Sequence, residues 1–582
     1  MTCLRDKLRS VLSASEHEWP PRGYRYFVPY SIIEKLVDED SVREMMSQEM
    51  VNSSEDDIRH YTALILSSCK RLFTIMIRTP DINLSLLRDL LEEGISDRNL
   101  PFSRVFVSTL PSDGHQEYIL GKAGHDLCKE AAHKDCAIKS LSSLNQEIIK
   151  DICGRQWSAL APIFEGVTNG IVHYDFEFGT ILPYIEDSER EKSKPGGFGE
   201  VWSVKIHPAH QKLLPSSDPK GLDVAVKGLF STKDQEEIFN LEVKMLQALN
   251  RYSHKHIIKL LATYKLTNRY YLLFPLASCN LRNHWDTRIP LWNQPTYLWA
   301  IMQLKGLVSA LDVIHTLPTG LPSMEPDIPN AGTSHRPLYR NINLRVEQRE
   351  AMFGRHGDIK PENILWFEDS ADVHGTLVLA DMGLGRFHRK ESRSRVDPKT
   401  INGSQTYAPP EVTMNQPVSR AYDIWSLGCV LTEFITWLLK GPPGLAKFGA
   451  RRLEVAEDGI KDDTFFTITS SGSDRLPTIR PGVSNWIREL KQDERCSPVF
   501  EELLDVVEWN MLRVDPRDRI SAEDLKSSIN AMIREASGDA KYLMGVQDSA
   551  ANDEQGIKMA TGMSDEVKGA EVPVIEVNGP SS

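Results

Sequence analysis

The stretch His356-Gly357-Asp358-Ile359-Lys360-Pro361-Glu362-Asn363 constrains this chain more than any other. An Asp, a Lys two residues on and an Asn five residues on stand within one short segment. Such an Asp can accept a hydroxyl proton, the Lys can steady a phosphate, and the Asn can hold a magnesium ion. Eighteen residues after Asn363 comes Ala380-Asp381-Met382-Gly383, a second metal-binding acid on a turn. Used together, these groups require a fold that brings two separate segments to one place.

The chain is long enough for several domains, at 582 residues, each with its own core. Its 41% hydrophobic and 26% charged residues are ordinary for a globular protein. A net charge of -13 gives no global sign of nucleic-acid binding. The eight cysteines show no CxxC pair and no metal-ligand spacing, which fits free thiols in a reducing compartment. Residues 1–22 carry charges throughout and lack the apolar core of a secretory signal. No apolar run approaches the roughly 18 to 20 residues that span a bilayer. The expected location is cytoplasmic or nuclear.

Residues 1–165 read as a helical module without a catalytic motif. Ser54-Glu55-Asp56-Asp57 is a capping box, and Ile58, Tyr61, Ile65, Leu72 and Met76 follow at helical spacing. Lys70 and Arg71 interrupt that helix and are expected to face water, and Pro80 ends it. Further helices are expected over 82–93, closed by Gly94, and over 144–157. From about Gly179 the texture changes to short β-branched strands, 200–206 and 222–227, joined by a long loop. An amphipathic helix over 236–249 presents Ile238, Leu241, Met245 and Leu249 on one side. Tyr270 to Phe274 is a buried-strand candidate, and a helix runs from Tyr297 to His315, just after Pro295. Residues 317–355 form a polar, proline-bearing insert without period. Beyond Asp381 the chain is expected to be mostly helical to Glu535, and 536–582 reads as a disordered tail.

Lys194-Pro195-Gly196-Gly197-Phe198-Gly199-Glu200-Val201 is a glycine loop between strands, where backbone amides can approach phosphates closely. A dinucleotide-binding loop would need a helix after the glycines, and Val201 to Ile206 reads as a strand. Val224-Ala225-Val226-Lys227 ends the next strand, and a Lys there is costly to bury unless paired. Glu242, Glu236 and Glu237 on the following helix can pair with it.

In this order the motifs resemble those of eukaryotic protein kinases, over about residues 179–535. The resemblance implies an α+β, bilobal fold, with a strand-rich first lobe and a helical second lobe, preceded here by the helical module. It implies ATP and Mg2+ as cofactors and protein substrates as partners. Asp358 would serve as base and Lys360 would contact the transferred phosphate. Lys227, paired with Glu242, would orient the phosphates, while Asn363 and Asp381 hold metal. The nucleotide would be lined by Gly196, Gly197, Phe198, Gly199, Val201, Ala225, Phe274, Leu276, Ala277 and Leu365. Lys360-Pro361-Glu362-Asn363 resembles the Ser/Thr-specific form.

Four positions depart from the family pattern: Lys194 for a glycine, Gly357 for an Arg, Met382 for a Phe, and Pro409 for an Ala. The Arg that Gly357 replaces commonly receives a phosphate of the activation loop, so control there is expected to be weaker or differently wired. That loop, from Asp381 to Glu411, holds a basic run at Arg386, Arg389, Lys390, Arg393, Arg395 and Lys399. Glu411 is expected to pair with Arg519, and Asp423 to hold the catalytic-loop backbone. The His-Gly-Asp and Tyr-Ala-Pro-Pro-Glu wording and the preceding helices resemble kinases of filamentous fungi. A pseudokinase scaffold stays open as an alternative, as does a protein partner bound through the N-terminal helices.

Overall fold

The computed structural model describes residues 4–19, 25–49, 53–109, 116–123, 137–167, 170–188, 199–215, 218–229, 235–317, 355–369, 372–382, 406–414, 416, 418–455, 461–471 and 474–545. They form two compact units. The first holds the described residues up to Arg251 together with Lys259–Leu276. The second holds Tyr252–Ile258 and the described residues from Ala277 onward. The basic run, the glycines at 196 and 197, Phe198 and nearly all of the 317–355 insert lie outside the described residues.

The first unit opens with α1 (Leu4–Ala14), β1 (His17–Glu18), β2 (Tyr26–Phe27), α2 (Tyr30–Leu36) and α3 (Glu39–Glu49). The capped helix then ends sooner than its periodicity suggests: α4 (Glu55–Ser68) stops at Cys69 and α5 (Lys70–Arg78) restarts. The capping box is present, with Ser54 accepting from the Asp57 amide. The break at Cys69 is stabilised from outside the helix. Asp97 accepts from the Arg71 and Leu72 amides, at 3.1 and 2.8 Å, which satisfies donors that a new helix start leaves orphaned. Arg71 is therefore buried rather than solvated, with its guanidinium over the Tyr30 ring. Ile58, Ile65, Leu72 and Met76 are in the core as their spacing requires.

α6 (Leu86–Glu92) is shorter than expected. It closes at Gly94, whose φ of 77 is the left-handed stop that glycine adopts without strain. The hairpin β3 (Ser103–Thr109) and β4 (Gln116–Gly121) follows, so this region is not purely helical. α7 (Gln146–Ala159) completes the cluster, capped by Asn145.

Short strands follow: β5 (Phe164–Glu165), β6 (Val172–Phe176), β7 (Tyr184–Asp187), β8 (Gly199–Ile206), β9 (Gln211–Lys212) and β10 (Leu222–Leu229). Helix α8 (Gln235–Asn250) and strands β11 (Ala262–Leu266) and β12 (Arg269–Pro275) finish the unit. Six strands form one sheet in the order β6-β11-β12-β10-β8-β7, antiparallel except for the β6–β11 pair. The buried side of α8 runs through Phe239, Val243, Leu246 and Leu249; Met245 is only half-buried. Of the expected stripe, only Leu249 is shown in the core, because the helix sits about one position rotated from it. The side chains of Ile238 and Leu241 lie outside the description.

Within this unit the early helices and the sheet share a boundary rather than a linker. The Trp157 indole packs so tightly on Gly179 that a Cβ there would sit 2.0 Å from it. His210 is 1% exposed, accepts from the Tyr30 amide at 2.9 Å through Nε2, and lies 2.9 Å from the Pro162 carbonyl through Nδ1. The 207–221 loop thus has anchors, and it also pairs as β9 with β5.

The second unit contains β13 (Cys279–Asn280), α9 (Leu281–Thr287), α10 (Gln294–Thr316), β14 (Ile364–Asp369), β15 (Asp372–Leu379) and α11 (Pro410–Thr413). The run α12 (Ala421–Arg452) breaks at Gly441, φ 63, before Pro442 and Pro443. The C-terminal part is not all helix. β16 (Glu454–Val455) pairs with β17 (Lys461–Asp462), and β18 (Phe466–Ser471) with β19 (Asp474–Ile479). α13 (Pro481–Lys491), α14 (Pro498–Val506), α15 (Ala522–Gly538) and α16 (Ala540–Met544) follow. Helix therefore continues past position 536 to Met544.

α10 bears on the reading that no apolar run spans a bilayer. It is long and apolar enough, by length and composition, to cross a membrane, and it is the sole such helix among the described residues. Polar residues such as Gln303, Lys305 and Asp312 divide it into shorter apolar runs in the sequence. Its apolar window is 72% buried within protein, as in a core helix.

Burial sets the acid sensitivity of the first unit. It pushes His210 down to about 3, and His173 and His207 to about 4. These rings are neutral when folded, while the unfolded chain takes up protons below about pH 6.5. Stability is then full above pH 6.5 and falls as pH drops toward 4, because the unfolded state binds more protons. We expect the unfolding free energy from urea titration to fall between pH 7 and 5, by roughly 1–2 kcal/mol for each fully buried ring. His210→Gln should flatten that dependence, and an unchanged slope would contradict it.

Candidate active site

The hairpin β14–β15 explains the spacing between Asn363 and Asp381. Ile364 pairs with Leu379, so Asn363 and Ala380 stand beside each other at its open end. The Ala380 amide donates to the Asn363 carbonyl at 2.9 Å. A further strand-like contact adds support, with the Ile258 amide donating to Leu379 and the Leu379 amide to His256. Asp381 follows with φ 54, a left-handed conformation that a non-glycine residue adopts only under constraint. Its side chain is exposed, and Met382 behind it is 4% exposed, filling an apolar packing position.

Asp358 lies at the centre of a polar cluster. Lys360 Nζ donates to Asp358 Oδ2 at 2.7 Å. Asn363 Nδ2 donates to the Asp358 carbonyl at 2.8 Å and to Oδ2 at 2.9 Å. The Asn363 amide oxygen is thus the end turned away from Asp358. His356 links this cluster to the turn that carries Asp381. Its Nδ1 accepts from the Asp358 amide at 3.3 Å, so its proton sits on Nε2 and is donated to the Ala380 carbonyl at 3.1 Å. Burial holds the imidazole below its ordinary value, in keeping with a neutral ring.

The loop is held from behind by Asp423, which is fully buried. Its Oδ2 accepts from the His356 amide at 2.8 Å and its Oδ1 from the Gly357 amide at 2.7 Å. His315 Nε2 lies 2.9 Å from Oδ2. Gly357 has φ 85, so glycine removes a backbone strain at this position as well as an Arg side chain.

In the first unit, Lys227 Nζ donates to Glu242 Oε1 at 2.8 Å, and both side chains are at least nine-tenths buried. Glu242, rather than Glu236 or Glu237, makes the described pair. Strand register sets the company of Lys227: it faces Val201 on β8, and Ala225 faces Phe274 on β12. Directly opposed residues share a sheet face, so Val201, Ala225, Lys227 and Phe274 lie on one side. Gly199 approaches Gly228, where a Cβ would lie 2.6 Å from the Gly228 carbonyl. Leu276 is exposed and ends the first unit, Ala277 begins the second, and Leu365 pairs with Asn280 in that second unit.

A second buried network went unread in the sequence. Glu433 accepts from Arg452 at 2.8 Å, from Arg282 at 3.0 Å and from the Tyr407 hydroxyl at 2.8 Å. Burial alone would raise its carboxyl, but Arg452 and Arg282 outweigh that and hold it below the usual range. Arg282 also meets Glu362 at 3.4 Å, joining the network to the Lys360-Pro361-Glu362-Asn363 turn. Nearby, Glu411 and Arg519 form a bidentate buried pair at 2.8 Å on both arms, as expected from their motifs.

The donor set suits the implied metal. Among the described residues no group of three or more His, Cys, Asp and Glu gathers into a metal cage. Magnesium needs none, since it takes one or two protein oxygens together with phosphates and water. Asn363 and Asp381 supply oxygens of that kind. Lys227 offers a paired cation beside glycine-bearing strands, which suits phosphates.

By comparison with known proteins, residues 351–529 match the family model described as the protein kinase domain. Relatives resemble part of the chain. A probable myosin light chain kinase of Dictyostelium discoideum is 30% identical over 155 residues, 24% of this chain and 30% of that protein. Serine/threonine-protein kinase AtPK2/AtPK19 of Arabidopsis thaliana is 33% identical over 142 residues, 23% and 28% respectively. Serine/threonine-protein kinase unc-51 of Caenorhabditis elegans is 30% identical over 174 residues, 29% and 16% respectively. The chain spans less than a third of the length of each of these proteins.

Gly357→Ala should lower stability, because a left-handed backbone costs a residue with a Cβ about 1–2 kcal/mol. Thermal unfolding checks this, and an unshifted midpoint would show that the φ of 85 is not held in solution.

Proposed function

We propose that this chain is a Mg2+- and ATP-dependent serine/threonine protein kinase with the bilobal kinase fold. The observation that carries the reading is the Asp358-Lys360-Asn363 cluster, with Asp381 one residue past Ala380, whose amide bonds the Asn363 carbonyl at the hairpin end. The family match on the same residues supports it.

In this reading the substrate hydroxyl attacks the γ-phosphorus of ATP. The bond to the bridging oxygen breaks, ADP leaves, and the hydroxyl proton passes to Asp358. Lys360 steadies the transferred phosphoryl group. Lys227, held by Glu242, orients the phosphates; Gly196, Gly197, Phe198, Gly199, Val201, Ala225, Phe274, Leu276, Ala277 and Leu365 line the nucleotide. Asn363 and Asp381 hold magnesium, which when bound screens charge developing on the phosphoryl oxygens. Protein substrates and a cytoplasmic or nuclear setting belong to the same proposal. So do the narrower kinship with kinases of filamentous fungi and weaker control by activation-loop phosphorylation.

The test is phosphate transfer to a generic basic protein, wild type against Asp358→Asn. A positioned base contributes about 10²–10⁴-fold, so the variant should lose activity on that scale. Equal incorporation by both would leave the pseudokinase scaffold as the better reading.

A further inference from the structure

We infer that strand β6 braces the helix that carries Glu242, with His173 and Phe239 as positioning residues. The inference rests on the kinase reading for its catalytic meaning. β6 lies upstream of position 179, where the catalytic domain was expected to open. It joins the sheet as an edge strand parallel to β11, with His173 opposite Thr263.

Three rings connect this strand to α8. Phe239 is fully buried and stacks on Tyr270 with centroids 4.3 Å apart and planes at 25°. His173 closes the other side, 5.4 Å from Phe239 and 6.3 Å from Tyr270. Its Nδ1 lies 2.9 Å from the Thr263 hydroxyl, which fixes the ring on the sheet. Burial pushes the imidazole down to about 4, so it packs as a neutral aromatic. Phe239 stands three residues before Glu242, and residues at that spacing share a helix face. The stack therefore sets the rotation of α8 one turn away from the carboxylate. Glu242 Oε1 meets Lys227 at 2.8 Å because that rotation is held. Alternating residues of β6 anchor the strand elsewhere, with Tyr174 and Phe176 each meeting Phe164 edge-on in the sheet's other core.

The test compares wild type, His173→Ala, His173→Phe and Phe239→Ala in the full chain. Small misplacement of a phosphate-orienting group is costly, so the alanine variants should lose about tenfold or more in kcat/KM, with KM for ATP raised. His173→Phe keeps the ring and should recover most of the loss. Hydrogen exchange reads the same brace without activity: amides over 240–250 should exchange faster in the alanine variants and near wild type in His173→Phe. If both alanine variants keep wild-type exchange there, the brace is wrong. It is equally wrong if they only lower the unfolding midpoint while kcat and KM per folded molecule stay unchanged. Should Phe239→Ala fail to fold, the His173 pair still decides. If wild type transfers no phosphate, the kinase reading fails, and the exchange result still judges the brace.

Discussion

The Asp423 carboxylate, sealed in the core of the second unit, is the constraint on which the candidate site depends. A buried charge needs donors, and it draws two of them from consecutive backbone amides, His356 and Gly357. That hold bends the chain through the left-handed conformation at Gly357 and turns His356 inward. His356 then ties the Asp358 amide to Ala380, and Asn363 ties Asp358 to the hairpin end. The groups read as base and metal ligands are thus placed by backbone and core contacts rather than by one another alone.

Buried ion pairs recur where distant segments must keep register. Glu411 with Arg519, and Glu433 with Arg452 and Arg282, each fix one end of the segment that follows the basic run. Such pairs add little net stability over apolar packing, since desolvation offsets their attraction, but breaking one leaves an unpaired charge. Their value here is geometric. Tyr407 and Thr406 are held by Glu433 and Asp463 respectively, so the segment is positioned by the second unit's own side chains.

Much of this was legible because it is local. Asp358, Lys360 and Asn363 announce themselves by spacing, the capping box at Ser54 by four adjacent letters, and Gly94 by its place after a helix. Glu411 and Arg519 could be paired because each sits in a recognisable motif. The Arg282–Glu433 contact, 151 residues apart, carries no local signal at all. On helix α8 the stripe read through Met245 meets the core at Leu249, while the sheet buries Phe239, Val243 and Leu246, which that stripe left out. The split at Cys69 depends on Asp97, a residue outside the helix, so periodicity alone ran α4 and α5 together. β6 went unnoticed because a five-residue edge strand gains its identity from β11.

The proposed function depends on Asn363 and Asp381 acting as magnesium ligands. Titrating a non-hydrolysable ATP analogue into the full chain, with and without magnesium, tests it for wild type and Asp381→Asn. The account predicts magnesium-dependent binding by wild type that weakens sharply in the variant. Binding that ignores magnesium, or that Asp381→Asn leaves untouched, would contradict it.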